Sequence, residues 1–192
     1  MDSRKPRVKI IEVLPPPDNP VYAGDPSRWE AIEKRLGTPL PIDYKNFINT
    51  YGTGFIGGTV WIYNPFFDYH AQNLLSANEN WLALFREVKA EFPKRYPFPI
   101  YPESGGVLLC GRTDTGDKIC WKTTGDPDSW TIILVDKSGI DVEEYDGGIT
   151  SFLIAFLTGE FQGELLLGEP CPSNEMLFRP WWYDMESKGS EK

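Results

Sequence analysis

Apolar residues recur at helical spacing in the first half of the chain and alternate along short runs in the second. After Asp25-Pro26-Ser27, which supplies a cap and a first-turn proline, Trp29, Ile32 and Leu36 follow at spacings of three and four, and Gly37 stops that helix. Leu40, Tyr44, Phe47, Ile48 and Tyr51 form one stripe, with Lys45, Asn46 and Asn49 on the opposite face. Pro41 suits the first helical position of this second helix, Asp43 its positive end, and Gly52 the position after its last turn. Gly54, Gly57 and Gly58 read as a loop, and residues 59–63 (TVWIY) as a strand. Trp81, Phe85, Val88 and Phe92 share a face of a third helix, predicted over residues 78–92 and ended by Pro93 and Pro97.

From there the period falls to two. Strands are predicted at residues 99–101, 107–112, 118–122, 131–136 and 142–145, joined by the polar turns Thr113-Asp114-Thr115-Gly116 and Gly125-Asp126-Pro127-Asp128. Links this short imply antiparallel hairpins. An almost wholly apolar helix over residues 150–158, capped by Thr150 or Ser151 and closed by Gly159, comes last. The layout is α+β: N-terminal helices packed on a mostly antiparallel sheet of about five to six strands, with a buried C-terminal helix. Residues 1–27 read as an extension in which 8–14 can add an edge strand ahead of Pro15-Pro16-Pro17. Residues 28–161 form the α+β domain, and 162–192 a Trp-rich tail whose Trp181, Trp182 and Tyr183 fold back onto it. No repeat of solenoid length is present.

Composition narrows the classes. The 192 residues are 41% hydrophobic and 24% charged, which suits a globular core without staples. The net charge is −9, so a broad basic surface for nucleic acid is not expected. An apolar run long enough for a membrane span is absent from the sequence, and the N-terminus lacks the apolar core of a signal peptide. Three cysteines, Cys110, Cys120 and Cys171, cannot all pair in one chain, which favours a reducing, cytoplasmic setting.

Several motifs tempt a chemical reading. Asp114-Thr115-Gly116 is the tripeptide of aspartic proteases, but that chemistry needs two carboxylates sharing a proton, and a polar hairpin turn explains the residues here. Asp126-Pro127-Asp128 has the spacing of a cation clamp, yet Gly-Asp-Pro-Asp is also a plain turn and no nucleotide-binding βαβ pattern accompanies it. His70 is the only histidine, so paired-histidine zinc sites are excluded, and it reads as a surface residue. Cys110 and Cys120, on adjacent strands of one hairpin, read as small core hydrophobes. No phosphate loop is present: the glycines at 52–58 follow a helix instead of preceding one. The chain is therefore expected to have no catalytic residues, metal or cofactor.

Three segments in order carry a family resemblance. LPIDYKNFINTYGTG at residues 40–54 resembles the LPxDYxxFLxxYGxG signature of the SUKH superfamily. GVLLCGRTDTGDKICWKT at residues 106–123, with Trp130-Thr131-Ile132-Ile133, resembles its strand–turn–strand–tryptophan element, and residues 150–158 resemble its closing helix. The resemblance implies an α+β binding domain. Bacterial members serve as immunity proteins of polymorphic toxin systems, often against nucleases, and fungal members regulate cell-wall integrity through protein contacts. It implies no active site.

Under that resemblance the acidic residues gain meaning. Residues 103–146 hold ten acidic residues against four basic ones. The expected partner is a cognate, basic toxin domain, blocked by direct binding at its active cleft; the alternative is a non-enzymatic regulatory scaffold of the cell-wall type. Asp114, Asp117, Asp126, Asp128, Glu143, Glu144 and Asp146 are the candidate contact carboxylates, and Trp61, Tyr63 and Tyr69 the candidate aromatic anchors. The plainer reading of the same carboxylates is a solvated rim.

Overall fold

The structure is a computed structural model that describes residues 8–94, 96, 98–161, 163–165 and 177–181. The first described segment is a single helical turn, α1 (Ile10–Val13), where an edge strand was expected. The Leu14 amide closes the turn on the Ile10 carbonyl at 2.7 Å. Leu14 itself is fully buried, and its carbonyl accepts the Tyr51 hydroxyl at 2.5 Å. Packing of these apolar side chains onto helices decides the conformation here, because both sheet edges are supplied by other segments.

A 3₁₀ turn (Pro26–Arg28) leads into α2 (Trp29–Leu36). The Asp25 carboxylate caps the turn through the Ser27 amide (2.9 Å), and Gly37 ends α2 in the left-handed conformation. The next helix, α3 (Ile42–Tyr51), begins one residue after Pro41. Gly52 follows it at φ +66°, and a Cβ there would lie 2.1 Å from the Val21 carbonyl oxygen. Only glycine permits both the dihedral and that approach, which lets the lead-in pair with the helix end through the Val21–Gly52 bridge. Helix α4 (Leu74–Glu91) starts four residues ahead of the expected position, because the Asn73 side chain accepts the Leu75 and Ser76 amides. The last helix, α5 (Ile149–Thr158), follows Gly148. Neither Thr150 nor Ser151 caps it. Its Thr150 amide and hydroxyl instead donate to Asp43 of α3, at 3.1 and 3.2 Å, so one helix caps another.

The sheet has seven strands, where five to six were expected: β1 (Gly54–Ile56), β2 (Val60–Ile62), β3 (Gly106–Thr113), β4 (Lys118–Thr123), β5 (Thr131–Val135), β6 (Val142–Tyr145) and β7 (Phe178–Pro180). Their spatial order is β6-β5-β4-β3-β2-β1-β7, and every neighbouring pair is antiparallel. The predicted strand at 99–101 is reduced to one bridge between Ile100 and Val107. Strand β1 falls in the segment read as a glycine loop, and β7 pairs with it through Gly54–Pro180 and Ile56–Phe178.

Ile119 to Trp121 on β4 and Ile132 to Val135 on β5 are buried at every successive position. Alternating side chains point to opposite faces, so the sheet centre is covered on both sides. Trp121 meets Tyr44 of α3 edge-on at 4.9 Å. Strand β6 is different: its residues are half-buried or exposed, as suits an edge.

The β5–β6 turn is organised by Asp136. One carboxylate oxygen accepts the Ile140 and Asp141 amides, the other the Ser138 amide and hydroxyl. Burial pulls its pKa upward, but these hydrogen bonds outweigh it and hold the group below the ordinary aspartate range. A depressed folded pKa means the stabilisation is present above the unfolded value and fades as pH falls through the folded one. Asp136→Ala is therefore expected to lower stability at neutral pH, with the gap to the parent narrowing below about pH 4. Urea midpoints at both pH values check this, and a pH-independent gap refutes it.

Candidate partner-binding surface

The candidate aromatic anchors separate cleanly by burial. Trp61 is fully buried and Tyr63 is 5% exposed, so both belong to the core and leave the candidate surface. Strand alternation could not sort them, because β2 is covered on both faces and is buried throughout. Trp61 packs edge-on against Phe55 (4.6 Å) and Trp181 (5.6 Å). Tyr69 is 55% exposed and stacks on Trp181 at 6.1 Å, the one candidate aromatic of the three at the surface. Trp182 and Tyr183 lie outside the described residues.

The candidate carboxylates do not form one patch. Asp114 and Asp117 sit in the β3–β4 turn at one end of the sheet. Asp126 and Asp128 sit in the β4–β5 connection at the other, with the six residues of β4 between, roughly 17 Å at strand rise. Most of them serve the fold. The Asp117 carboxylate accepts the Lys137 amide at 2.9 Å and the Thr115 hydroxyl at 2.8 Å. Asp114 accepts the Thr59 hydroxyl and the Thr115 amide. Asp126 caps a 3₁₀ turn (Pro127–Ser129) through the Asp128 amide, and Asp128 in turn accepts the Ile42 amide at the start of α3, at 2.6 Å. The Asp-Thr-Gly and Asp-Pro-Asp motifs thus direct their carboxylates at backbone and hydroxyl donors, which is turn chemistry. Among the described residues, no group of three His, Cys, Asp or Glu side chains converges as metal ligands would.

Cys110 and Cys120 are buried, free thiols. Burial pushes both pKa values up, Cys110 most plainly, so they stay protonated and are poor nucleophiles. His70 is exposed in a 3₁₀ turn (His70–Gln72). Cys171 lies outside the described residues.

The structure does bring Glu143, Glu144 and Asp146 together, and adds Tyr145, Glu160 and Phe161, which the sequence pattern did not single out. A groove of about 440 Å³ runs along β6, lined by Glu143, Glu144, Tyr145, Asp146, Glu160 and Phe161. Helix α5 carries the chain away from β6, and the segment after Gly159 returns beside it. Phe161 packs on Phe152 (5.6 Å) and Tyr145 (6.1 Å), which fixes the return path. Glu143 secures the next residues by accepting the Glu164 amide at 2.6 Å. Glu144 forms an ion pair with Lys122 at 2.8 Å on the exposed surface, worth little by itself. Asp146 and Glu160 are exposed, and neither is tied down by a hydrogen bond within the described residues. The groove therefore has an aromatic floor and a negative rim. The signal for it in the sequence was the Glu143-Glu144 run; Glu160 and Phe161 reach it only through the turn of the chain after α5.

Comparison with known proteins gives one finding. A family model described as SUKH_6, SMI1-KNR4 cell-wall, matches residues 26–153, from the turn before α2 into α5. No curated protein matches the chain, and no solved structure does. No helix among the described residues is long and apolar enough to cross a membrane.

Proposed function

The chain belongs to the SUKH superfamily, in its SMI1-KNR4 group, and from that premise we propose that it is an immunity protein, acting in the cytoplasm, that neutralises a cognate toxin by binding it. The toxin surface it meets is basic, and the blockade is steric and electrostatic, with no covalent chemistry. The observation that carries this reading is the groove along β6, where exposed Glu144, Asp146 and Glu160 ring Tyr145 and Phe161. Enzymes that act on nucleic acid must present positive clefts to phosphates. A negative rim steers such a cleft into contact, and a half-buried aromatic floor supplies area for affinity. The net charge of −9 acts in the same direction over longer range.

Co-expression with the C-terminal domain of the neighbouring open reading frame tests this. Growth rescue together with a co-purifying complex is the expected result; a toxic domain that kills despite a folded, abundant partner overturns it. In the complex, the association rate is expected to fall about tenfold or more between roughly 50 and 300 mM salt, with dissociation changing less. Stopped-flow mixing measures this, and a salt-independent association rate refutes electrostatic steering.

A further inference from the structure

Strand β6 closes one end of the sheet: it pairs with β5 from Val135–Val142 to Ile132–Tyr145. Among the described residues, no backbone hydrogen bond reaches its outer side. In an antiparallel strand alternate amides and carbonyls point away from the partner, so among the described residues the groups on this side have no strand partner. Glu160, Phe161 and Gly163 line the groove together with Glu143 to Asp146.

We propose that the outer edge of β6 is a docking site for an extended segment of the partner bearing Lys or Arg side chains, which adds to the sheet as a further strand. This rests on the binding role proposed above only for the partner's identity. Backbone pairing supplies affinity in such additions, and alternate side chains supply selectivity. Here alternate side chains of the incoming strand meet Glu144 and Asp146 with Glu160 across the groove, so the chemistry selects cations. A second copy of this chain is the wrong occupant: pairing two β6 strands sets Glu143 and Glu144 against their own kind, and like charges opposite each other destabilise a ladder. The acidic edge therefore excludes self-pairing while admitting a basic strand.

The test needs no toxin. The probe is the blocked peptide acetyl-Lys-Val-Arg-Val-Lys-Val-amide, alongside the same sequence N-methylated at alternate residues, which keeps its charge and loses its edge donors. With the full chain, the unmodified peptide is expected to slow hydrogen exchange of the outward-pointing amides of Val142 and Glu144, and the N-methylated peptide to bind at least about tenfold more weakly. An Asp146→Lys/Glu160→Lys variant, whose fold circular dichroism checks, is expected to lose about tenfold or more in affinity for the unmodified peptide. Equal binding of the two peptides overturns the proposal in favour of contact by charge alone. No binding at millimolar peptide overturns it as well. So do Val142 and Glu144 amides already protected in the free chain, or a dimer whose protection maps to β6, since the edge is then occupied. Because the readout is exchange and peptide affinity, failure here leaves growth rescue by the full chain as a separate result.

Discussion

Trp121→Ala is expected to cost about 3–5 kcal/mol of folding stability, the range for deleting a large buried ring. Trp121 is fully buried at the sheet centre, meeting Tyr44 edge-on at 4.9 Å and lying 6.0 Å from Trp130. It joins β4 to α3, and Tyr44 continues the link by donating its hydroxyl to the Tyr63 carbonyl at 2.6 Å. Removing the indole opens a cavity between two elements that both carry regular structure, so collapse around it is limited. The indole Nε1 of Trp121 is buried and, among the described residues, has no hydrogen-bond partner. Trp121→Phe removes that unsatisfied donor while keeping most of the ring contact, and its cost is expected to stay below about 2 kcal/mol. Urea midpoints with unchanged slope measure both variants. Equal losses for the two would mean that packing of the ring against Tyr44 is not what holds β4 to α3.

The helices that meet the sheet face-on were legible for the same reason that Trp121 matters. Leu40, Tyr44, Phe47, Ile48 and Tyr51 repeat at helical period because one face of α3 is buried, and four of them line the buried side of the observed helix. The hairpins β3–β4 and β4–β5 were legible through their turn residues. Strands β1 and β7 were not: three residues cannot display a period of two, β1 lies between β2 and β7, and β7 is a strand because β1 pairs with it across more than a hundred residues of chain. Segment 8–14 was misread for a related reason, since its apolar residues answer to α3 and α5, which lie far along the sequence. The candidate surface divides in the same way. Glu143, Glu144 and Asp146 are neighbours in sequence and in space, whereas the split between Asp114 and Asp126 follows from strand direction. Trp61 could not be placed by alternation in a strand that has no exposed face, and Tyr63 lies just past the end of that strand.

Asn78→Ala is expected to cost about 2–6 kcal/mol, although the change removes few atoms. Asn78 is 2% exposed on α4, and its side chain stands in for a strand. The Oδ1 accepts the Leu109 amide at 2.9 Å, and the Nδ2 donates to the Leu109 carbonyl at 2.8 Å. Leu109 faces Cys120 of β4 on one side, but on the other the pairing of β3 with β2 stops at Gly111, so there Asn78 takes the place of a strand. Alanine leaves a buried amide and a buried carbonyl unpaired at once, each costing about 1–3 kcal/mol. Asn78→Asp separates the two bonds. The carboxylate can still accept the Leu109 amide, but it faces the Leu109 and Leu74 carbonyls, which need a donor. Such a group has a raised folded pKa, so its penalty grows as pH rises above the ordinary aspartate value and shrinks as pH falls towards about 4. Unfolding midpoints across that range are expected to converge on the parent at the acidic end for Asn78→Asp and to stay apart for Asn78→Ala. If Asn78→Asp matches the parent at every pH while Asn78→Ala does not, the side chain acts there by volume alone, and the link from α4 to the sheet must be sought in the packing around it.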